Sequence, residues 1–500
     1  LALPLHPYIF AFFPSLAMDM EQHQFVLPED CLLPTLVIEI ATVVLFLICW
    51  GLLKNAKRAA AITSFTLMWW FSYRAFRLPF SNLFDMLGTS PVPPLLVLLL
   101  FFGVLITVVI FLSKDRWQIG KHEENIDHNK LCSMLNVLSV LCVMTTFVPL
   151  ASFEISDGVI RKKIVAALQQ PFENLKLKSN GAKPDIYYII PDAYPNSRTL
   201  QAYWQHDNKP FLDFLKNKGF YVVPQAFSNY SCTTLSMSSS LNMQYIDLVP
   251  RIYADNKGEN LADAVYWRIC QNSNVEKIFK GLGYKFVNVS SATWPTDFMP
   301  SADINLFSFP LNEFSTFLIQ RTPWFDIESY FPLLRNLNCR ARLAAPLCID
   351  QAAKVPGPKF VLIHTTLSHG PFIFDEHGNY SRALPDKTGL EAVSPENYIG
   401  QIRFSESELT KMVSLILDKP GPKPVIIIQS DHGAYFRKSN MDEFYNEVMR
   451  NLNAYYLPGM DNKGLYETIS PVNSFRVVLN DYFDAGLPLL KDRAYCSKDS

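Results

Sequence analysis

Charge of one sign is what this chain lacks most plainly. Its 45 Lys and Arg are matched by 46 Asp and Glu, for a formal net charge of −1. That balance leaves no electrostatic footprint for nucleic acid, and no nucleic-acid partner is expected. Internal repeats and low-complexity tracts are also missing, so a solenoid or a long disordered linker is not expected. The first apolar segment has no basic region before it and no small-residue cleavage site after it, and so lacks a signal-peptide layout. The chain opens on Leu1 without Met, which leads us to expect a fragment or a processed form. Cysteine is sparse, at nine residues, and Cys49, Cys132 and Cys142 sit in apolar runs where they read as inert packing. Cys339 and Cys348 would close a small loop if their domain faces an oxidising compartment.

What the chain has instead is apolar surface. Hydrophobic residues make up 49% of it and charged residues 18%, a balance high for a soluble enzyme. The excess lies in the first third. Five apolar segments, at 5–20, 34–53, 59–80, 94–113 and 131–152, approach the length of about 20 residues that spans a bilayer. The first is the weakest, being short and interrupted by proline. Lys54, Lys57 and Arg58 lie between the second and third segments, and Lys114, Arg116, Lys121 and Lys130 between the fourth and fifth. The alternate loops, 21–34 and 80–93, carry no Lys or Arg. The positive-inside rule places the basic loops in the cytoplasm, with the N-terminus inside and everything after the fifth segment outside. Glu39, Arg74 and Arg77 fall toward the outer leaflet, and intramembrane ionisable groups are usually paired or functional. A Glu39–Arg74 pair is the expectation; the alternative is that the arginines hold an anionic lipid head group.

The expected organisation is therefore an α-helical transmembrane domain at 1–153, a juxtamembrane linker at 154–182 and an α/β extracytoplasmic domain at 183–500. The linker's Arg161, Lys162 and Lys163 precede an apolar patch, which fits a helix lying on the membrane surface. From Pro184 onward, strands alternate with helices: a strand at 185–190, a helix at 210–218 stopped by Gly219, and a helix before the strand at 425–428. That alternation predicts a mainly parallel sheet covered by helices.

Three of the buried-type strands end in metal-ligating residues. PDIYYIIPDAY (184–194) ends at Asp192, KFVLIHTTLSHGPF (359–372) leads past His364 to His369, and PVIIIQSDHGAYFR (424–437) opens into Asp431 and His432. In open parallel sheets ligands bind at the carboxyl ends of the strands. Asp-His supplies one hard oxygen and one borderline nitrogen, which suits zinc or manganese better than calcium. Asp-His-Gly alone reads equally well as an ordinary polar strand exit. Three strands ending alike favour a site.

A fourth stretch, NYSCTTLSMSSSLN (229–242), is dense in hydroxyls and runs into a helix expected to begin near Thr233 or Thr234. Free N–H groups and the dipole at a helix N-terminus seat phosphate or sulfate well. Ser and Thr that merely cap the helix are the plain alternative.

With these four stretches in this order, residues 183–490 resemble the alkaline phosphatase superfamily, in its sulfatase and lipoteichoic-acid-synthase-like branch. The resemblance implies a divalent metal, manganese or zinc first with magnesium or calcium as alternatives, held by Asp192, Thr233, Asp431 and His432. It implies Thr233 as nucleophile, three residues before Ser236, and His369 as the group that assists the leaving alcohol. His364 reads as structural. Arg437 could touch an anionic substrate, and His369 with Glu406 could serve a second metal. The chain departs from true sulfatases. After Cys232 it has neither the Pro nor the Arg of the formylglycine signature, and Asp192 is followed by Ala193 instead of a second acid. These departures favour the branch that resembles lipoteichoic acid synthases and phosphoethanolamine transferases, proteins that carry five transmembrane helices before the outer domain. The implied function is transfer of a phospholipid-derived group, phosphoglycerol or phosphoethanolamine, from a membrane lipid donor to an envelope glycan or lipid, through a phospho-threonine. A sulfuric ester hydrolase and a catalytically silent membrane scaffold are the competing readings.

Overall fold

The computed structural model describes residues 3–22, 28–87, 94–113, 116–119, 122–125, 127–178, 183–255, 263–291, 293, 296–307, 313–327, 342–380, 394–434, 441–462 and 464–496. The chain divides into two compact units, one of Leu1–Asp157 with Leu311–Asn336, the other of Gly158–Pro310 with Leu337–Ser500.

The first unit is helical. It comprises α1 (His6–Gln22), α2 (Leu32–Leu53), α3 (Ala56–Phe71), α4 (Tyr73–Met86), α5 (Pro94–Ser113) and the start of α6 (His128–Gln169), with a small antiparallel hairpin of β1 (Arg116–Ile119) and β2 (His122–Asn125). Asn55 caps α3 by accepting from the N–H groups of Lys57 and Arg58, at 3.1 and 3.2 Å. Among the described residues two helices, Leu32–Leu53 and the one starting at His128, are long and apolar enough to cross a membrane, where the sequence led us to expect five; Pro94–Ile110 is apolar but shorter. On α2, Leu33, Leu36, Val37, Ile40 and Leu47 are exposed, as a lipid-facing surface would be.

The fold corrects several expectations. The segment expected at 59–80 is two helices, broken at Ser72 between α3 and α4. There Tyr73 packs edge-on against Phe101 of α5 at 4.9 Å, and the Trp69 indole donates to the Phe101 carbonyl at 3.2 Å. The linker does not begin with a break: α6 continues unbroken past residue 153 to Gln169. Glu39 makes no ion pair with Arg74 among the described residues, and Arg77 pairs with Asp326 instead, at 2.9 Å. Asp326 belongs to the return of chain at 311–336, which the sequence-based boundaries assigned to the outer domain. Cys348 is a buried free thiol, and Cys339 lies outside the described residues.

The second unit is an α/β layer structure around a seven-stranded sheet of order β4-β9-β8-β3-β7-β5-β6. The strands are β3 (Ile186–Pro191), β4 (Tyr221–Val222), β5 (Lys285–Val289), β6 (Ile304–Leu306), β7 (Lys359–Thr365), β8 (Val425–Gln429) and β9 (Asn453–Tyr456). β8, β3, β7, β5 and β6 run parallel, and β9 is antiparallel to both its neighbours. Both faces are covered, so the central strands are buried along their length, as their continuous apolar sequences require. Alternate residues serve opposite cores. Tyr188, Ile190, Leu362 and Ile427 face one, and Tyr187, Ile189, Ile363 and Ile428 face the other. Each such side chain contributes about 1.5–3 kcal/mol by leaving water.

Six helices precede the middle of the unit: α7 (Ser197–Trp204), α8 (Lys209–Asn217), α9 (Thr233–Asn242), α10 (Leu248–Asp255), α11 (Asp263–Gln271) and α12 (Asn274–Gly281). Gly219 ends the α8 turn at φ +93°, a conformation that costs glycine nothing. The first core includes Met237 and Leu241 of α9 and Phe475 and Val478 of the helix Pro471–Phe483. The second includes Ile349 of Ala344–Lys354 and Val413 of Pro395–Asp418.

Candidate metal and nucleophile site

Three adjacent strands, β8, β3 and β7, end at the same edge of the sheet. Pro191 of β3 stands opposite Thr365 of β7, and Ile189 opposite Ile428 of β8. The residues just past these strand ends are therefore neighbours. The Asp192 N–H continues the ladder by donating to the Thr365 carbonyl at 2.9 Å, and Ser368 Oγ donates to the Asp192 carbonyl at 2.7 Å. Ala193 then takes a left-handed conformation, φ +58°, which an alanine adopts only under constraint. The turn aims the Ala193 N–H at Asp431 Oδ1, 3.0 Å away. Asp431 is thus held by one oxygen.

Below the edge, Gln429 is fixed by Tyr188 at 2.8 Å and Ser474 at 2.7 Å, which anchors the end of β8. Ser430 Oγ accepts from the Tyr194 N–H at 2.9 Å and donates to the His432 carbonyl at 2.6 Å. Gly433 is required by close approach, because a Cβ there would lie 2.1 Å from the Glu447 carbonyl oxygen.

His432 Nδ1 donates to the Gly433 carbonyl at 2.6 Å, so Nε2 is the ring nitrogen that faces the site. Nε2 lies 3.4 Å from Asp431 Oδ2, 3.8 Å from Asp192 Oδ1 and 3.2 Å from Thr233 Oγ1. Asp192 Oδ1 and Asp431 Oδ2 are buried and have no hydrogen-bond partner among the described residues. Two carboxylate oxygens that no hydrogen bond compensates therefore converge with an imidazole nitrogen, which is costly unless a cation joins them. Asp192, Asp431 and His432 offer ligand atoms within 4.8 Å of one another and could hold a metal ion. Their oxygen and nitrogen donors fit zinc or manganese. Burial pushes the Asp192 carboxyl up, yet the imidazoles of His369, His364 and His432 outweigh it and hold the group well below the usual carboxylate range.

Thr233, one of the two starts the sequence left open, is the first residue of α9 and is half-buried, whereas Thr234 is buried. Ser236 turns away and donates to the Tyr230 carbonyl at 2.9 Å, so it braces the loop before the helix. The first-turn N–H groups of α9, which Thr233 opens, have no partner within the helix.

His369 is exposed, and Nδ1 donates to the Gly370 carbonyl at 2.8 Å. Its charge is the largest single cause that lowers the Asp192 carboxyl. His364, expected to be structural, is fully buried with Nε2 3.4 Å from Asp192 Oδ2 and Nδ1 2.7 Å from Thr296 Oγ1. It therefore orients a carboxylate of the site. Glu406 is not a free second-metal ligand: it accepts from Tyr194 at 2.6 Å and meets His206 Nε2 at 2.9 Å. Arg437 lies outside the described residues. Sequence reasoning missed Arg342, whose guanidinium donates to the carbonyls of His369 at 2.9 Å and Pro371 at 3.1 Å and holds the loop that presents His369. Gln401 binds the same His369 carbonyl at 3.1 Å. Neither Arg342 nor Gln401 lies near a motif in sequence, so no local signal marks them.

No family model matches the chain, and no curated protein matches it. Solved structures do. The chain is similar to the C-terminal periplasmic domain of EptC from Escherichia coli in complex with Zn, at 14% identity and a TM-score of 0.43, covering 64% of this chain and 90% of that one. It is similar over 95% of both chains to the integral membrane lipooligosaccharide phosphoethanolamine transferase EptA from Neisseria meningitidis, at 12% identity and a TM-score of 0.39. BT1596, a 2-O GAG sulfatase, matches at 14% identity and a TM-score of 0.38, covering 61% of this chain and 72% of that one. At TM-scores this low the likenesses carry no argument, and the chemistry rests on the site's own atoms. The proteins this chain is similar to are phosphoethanolamine transferases and sulfatases, the kinds of enzyme its motifs resemble.

Proposed function

We propose that the chain is a membrane-anchored, metal-dependent phosphodiester transferase or hydrolase that works through Thr233. The observation that carries this reading is the meeting of Thr233 Oγ1, His432 Nε2 and the unpartnered oxygens of Asp192 and Asp431 at one sheet edge. Asp192, Asp431, His432 and Thr233 would hold a divalent metal, which supplies a lowered hydroxyl pKa and charge neutralisation for an incoming phosphodiester. Thr233 gives up its hydroxyl proton to water, and Oγ1 attacks phosphorus, forming an Oγ1–P bond while the bond to the lipid alkoxide breaks. The alkoxide leaves with a proton supplied from the His369 side. The first-turn N–H groups of α9 receive the negative phosphoryl oxygens. An acceptor hydroxyl, from an envelope glycan, a lipid or water, then takes the phosphoryl group and restores Thr233. His364 and Arg342 act through Asp192 and His369 as positioning residues.

In this reading the second unit, Gly158–Pro310 with Leu337–Ser500, is an extracytoplasmic catalytic domain. A reporter fused after Phe153 is expected to read outside, and one within 120–129 inside. The transfer itself is tested by turnover of labelled phosphatidylethanolamine and phosphatidylglycerol in membranes, with an aryl sulfate alongside. Release of diacylglycerol that depends on Thr233 supports the reading. Hydrolysis of the aryl sulfate alone overturns it in favour of a sulfatase, and no turnover of any of the three favours a silent scaffold.

A further inference from the structure

Asp431 and Asp192 stand together at the sheet edge but are held differently. Asp431 Oδ1 accepts from the Ala193 N–H at 3.0 Å. Among the described residues no backbone N–H reaches the Asp192 carboxylate; its near neighbours are the rings of His364 and His432. A carboxylate turns about its last bond with two broad minima, so another group must choose which Asp192 oxygen turns toward His432. His364 Nε2 lies 3.4 Å from Oδ2, which leaves Oδ1 on the side of His432, 3.8 Å from its Nε2.

His364 can hold the carboxylate only if its own ring is held. Its Nδ1 lies 2.7 Å from Thr296 Oγ1. Thr296 comes from the loop after β5, the strand that pairs with β7 on the side away from β3. The Thr296 carbonyl accepts from Asn288 Nδ2 at 3.0 Å, and Ser291 Oγ lies 2.9 Å from its hydroxyl and 2.7 Å from the Thr293 carbonyl. Ser291, Thr296, His364 and Asp192 thus form a line of polar side chains, each no more than 4% exposed, that runs from the end of β5 past β7 to β3. The hydrogen bond made by one ring nitrogen governs what the other can do. The Thr296 hydroxyl therefore fixes the ring plane, and with it the approach of Nε2 to Oδ2. Without that hydroxyl, Nδ1 loses this partner in a fully buried setting and the ring loses its anchor.

The geometry points to Thr296 as a positioning residue of the metal site: acting through His364, it sets which oxygen of Asp192 is offered to the cation. Thr296 has this role only if Asp192 ligates a metal, as proposed above. Partners behind a ligand orient it and raise affinity without touching the ion.

The probe is Zn²⁺ alone, titrated into the chelator-stripped full chain in detergent micelles against a competing zinc dye. Thr296→Val keeps the side-chain volume and removes the hydroxyl, and is expected to weaken zinc binding by roughly 10–100-fold. Thr296→Ser keeps the hydroxyl and is expected to bind as the wild type does. Ser291→Ala leaves Thr296 in place but loosens its hydroxyl, and is expected to weaken zinc severalfold. In a His364→Leu background, already weakened, Thr296→Val is expected to cost nothing further, whereas an independent structural loss would add. Undiminished affinity in Thr296→Val or in Ser291→Ala overturns the inference, as does loss of affinity in Thr296→Ser or an additive loss in the double variant. Asp431→Asn separates Thr296 from the reading it rests on. Zinc bound by the wild type and lost in Asp431→Asn, beside an unaffected Thr296→Val, leaves the metal site standing and removes only the role of Thr296. A wild type that takes up no zinc overturns both.

Discussion

Thr233 Oγ1 and His432 Nε2 lie 3.2 Å apart, although 199 residues separate them in sequence. One opens a helix and the other closes a strand exit. Because His432 Nδ1 is committed to the Gly433 carbonyl, it is Nε2 that the contact brings to the hydroxyl. A hydroxyl so placed, with two unpartnered carboxylate oxygens beside it, has the surroundings of a metal-activated nucleophile.

Metal removal should separate ligands from positioning groups. Asp431→Asn and His432→Ala are expected to reduce metal affinity by more than the roughly 10–100-fold that changes behind a ligand cost, and to abolish turnover. His369→Ala is expected to keep the metal and lose about 10²–10⁴ in rate, the range of a general acid. Metal analysis of each purified variant, with turnover before and after chelation, decides it. If His369→Ala empties the site as fully as Asp431→Asn, His369 is a ligand.

Gly433→Ala should disturb the same site without touching a ligand. The added Cβ would lie 2.1 Å from the Glu447 carbonyl oxygen and 2.9 Å from that of Arg450, both backbone atoms that cannot swing away. Overpacking of this kind costs about 1–3 kcal/mol. The expected outcome is a lowered melting temperature together with weakened metal binding. An unchanged variant in both measurements would show that the Gly433 to Glu447 approach is slack.

In the helical unit, Asp326 accepts from Tyr73 at 2.5 Å and from Arg77 at 2.9 Å on one oxygen. Arg77 also lies over the Phe325 ring, 5.4 Å from its centroid. Asp326→Ala leaves a guanidinium without its carboxylate and is expected to cost about 2–4 kcal/mol. Protease cleavage within 313–327 should become faster in the variant than in the wild type. Equal cleavage rates would mean that the return segment is held by its other contacts.

Much of the site was legible in the sequence because strand ends carry their own signal. Val425 to Ile428 and Ile186 to Ile190 are apolar runs too short for helices, and the residues after each run have to emerge at a sheet edge. Thr233 was legible as a helix start for the same local reason. Long-range partners left no such mark. His364 reads as one more strand residue until β7 is laid beside β3, and Arg342 reaches the His369 loop from 27 residues away. β9 escaped notice because NAYY is short and its burial depends on β4 and β8. The break at Ser72 was hidden because hydropathy runs through it, while the continuation of α6 past 153 was hidden because hydropathy stops and the helix does not.

The most direct measurement is peptide mass spectrometry of the protein after brief exposure to phospholipid in membranes. The donor's phosphoryl-bearing group is expected on Thr233, absent from Thr233→Ala, which should keep its melting temperature and lose turnover. Thr234 is buried and lies about 100° around the helix from Thr233, so Thr234→Ala should keep much of its activity. A modified Thr234 or Cys232 beside an unmodified Thr233 would contradict the assignment of the nucleophile.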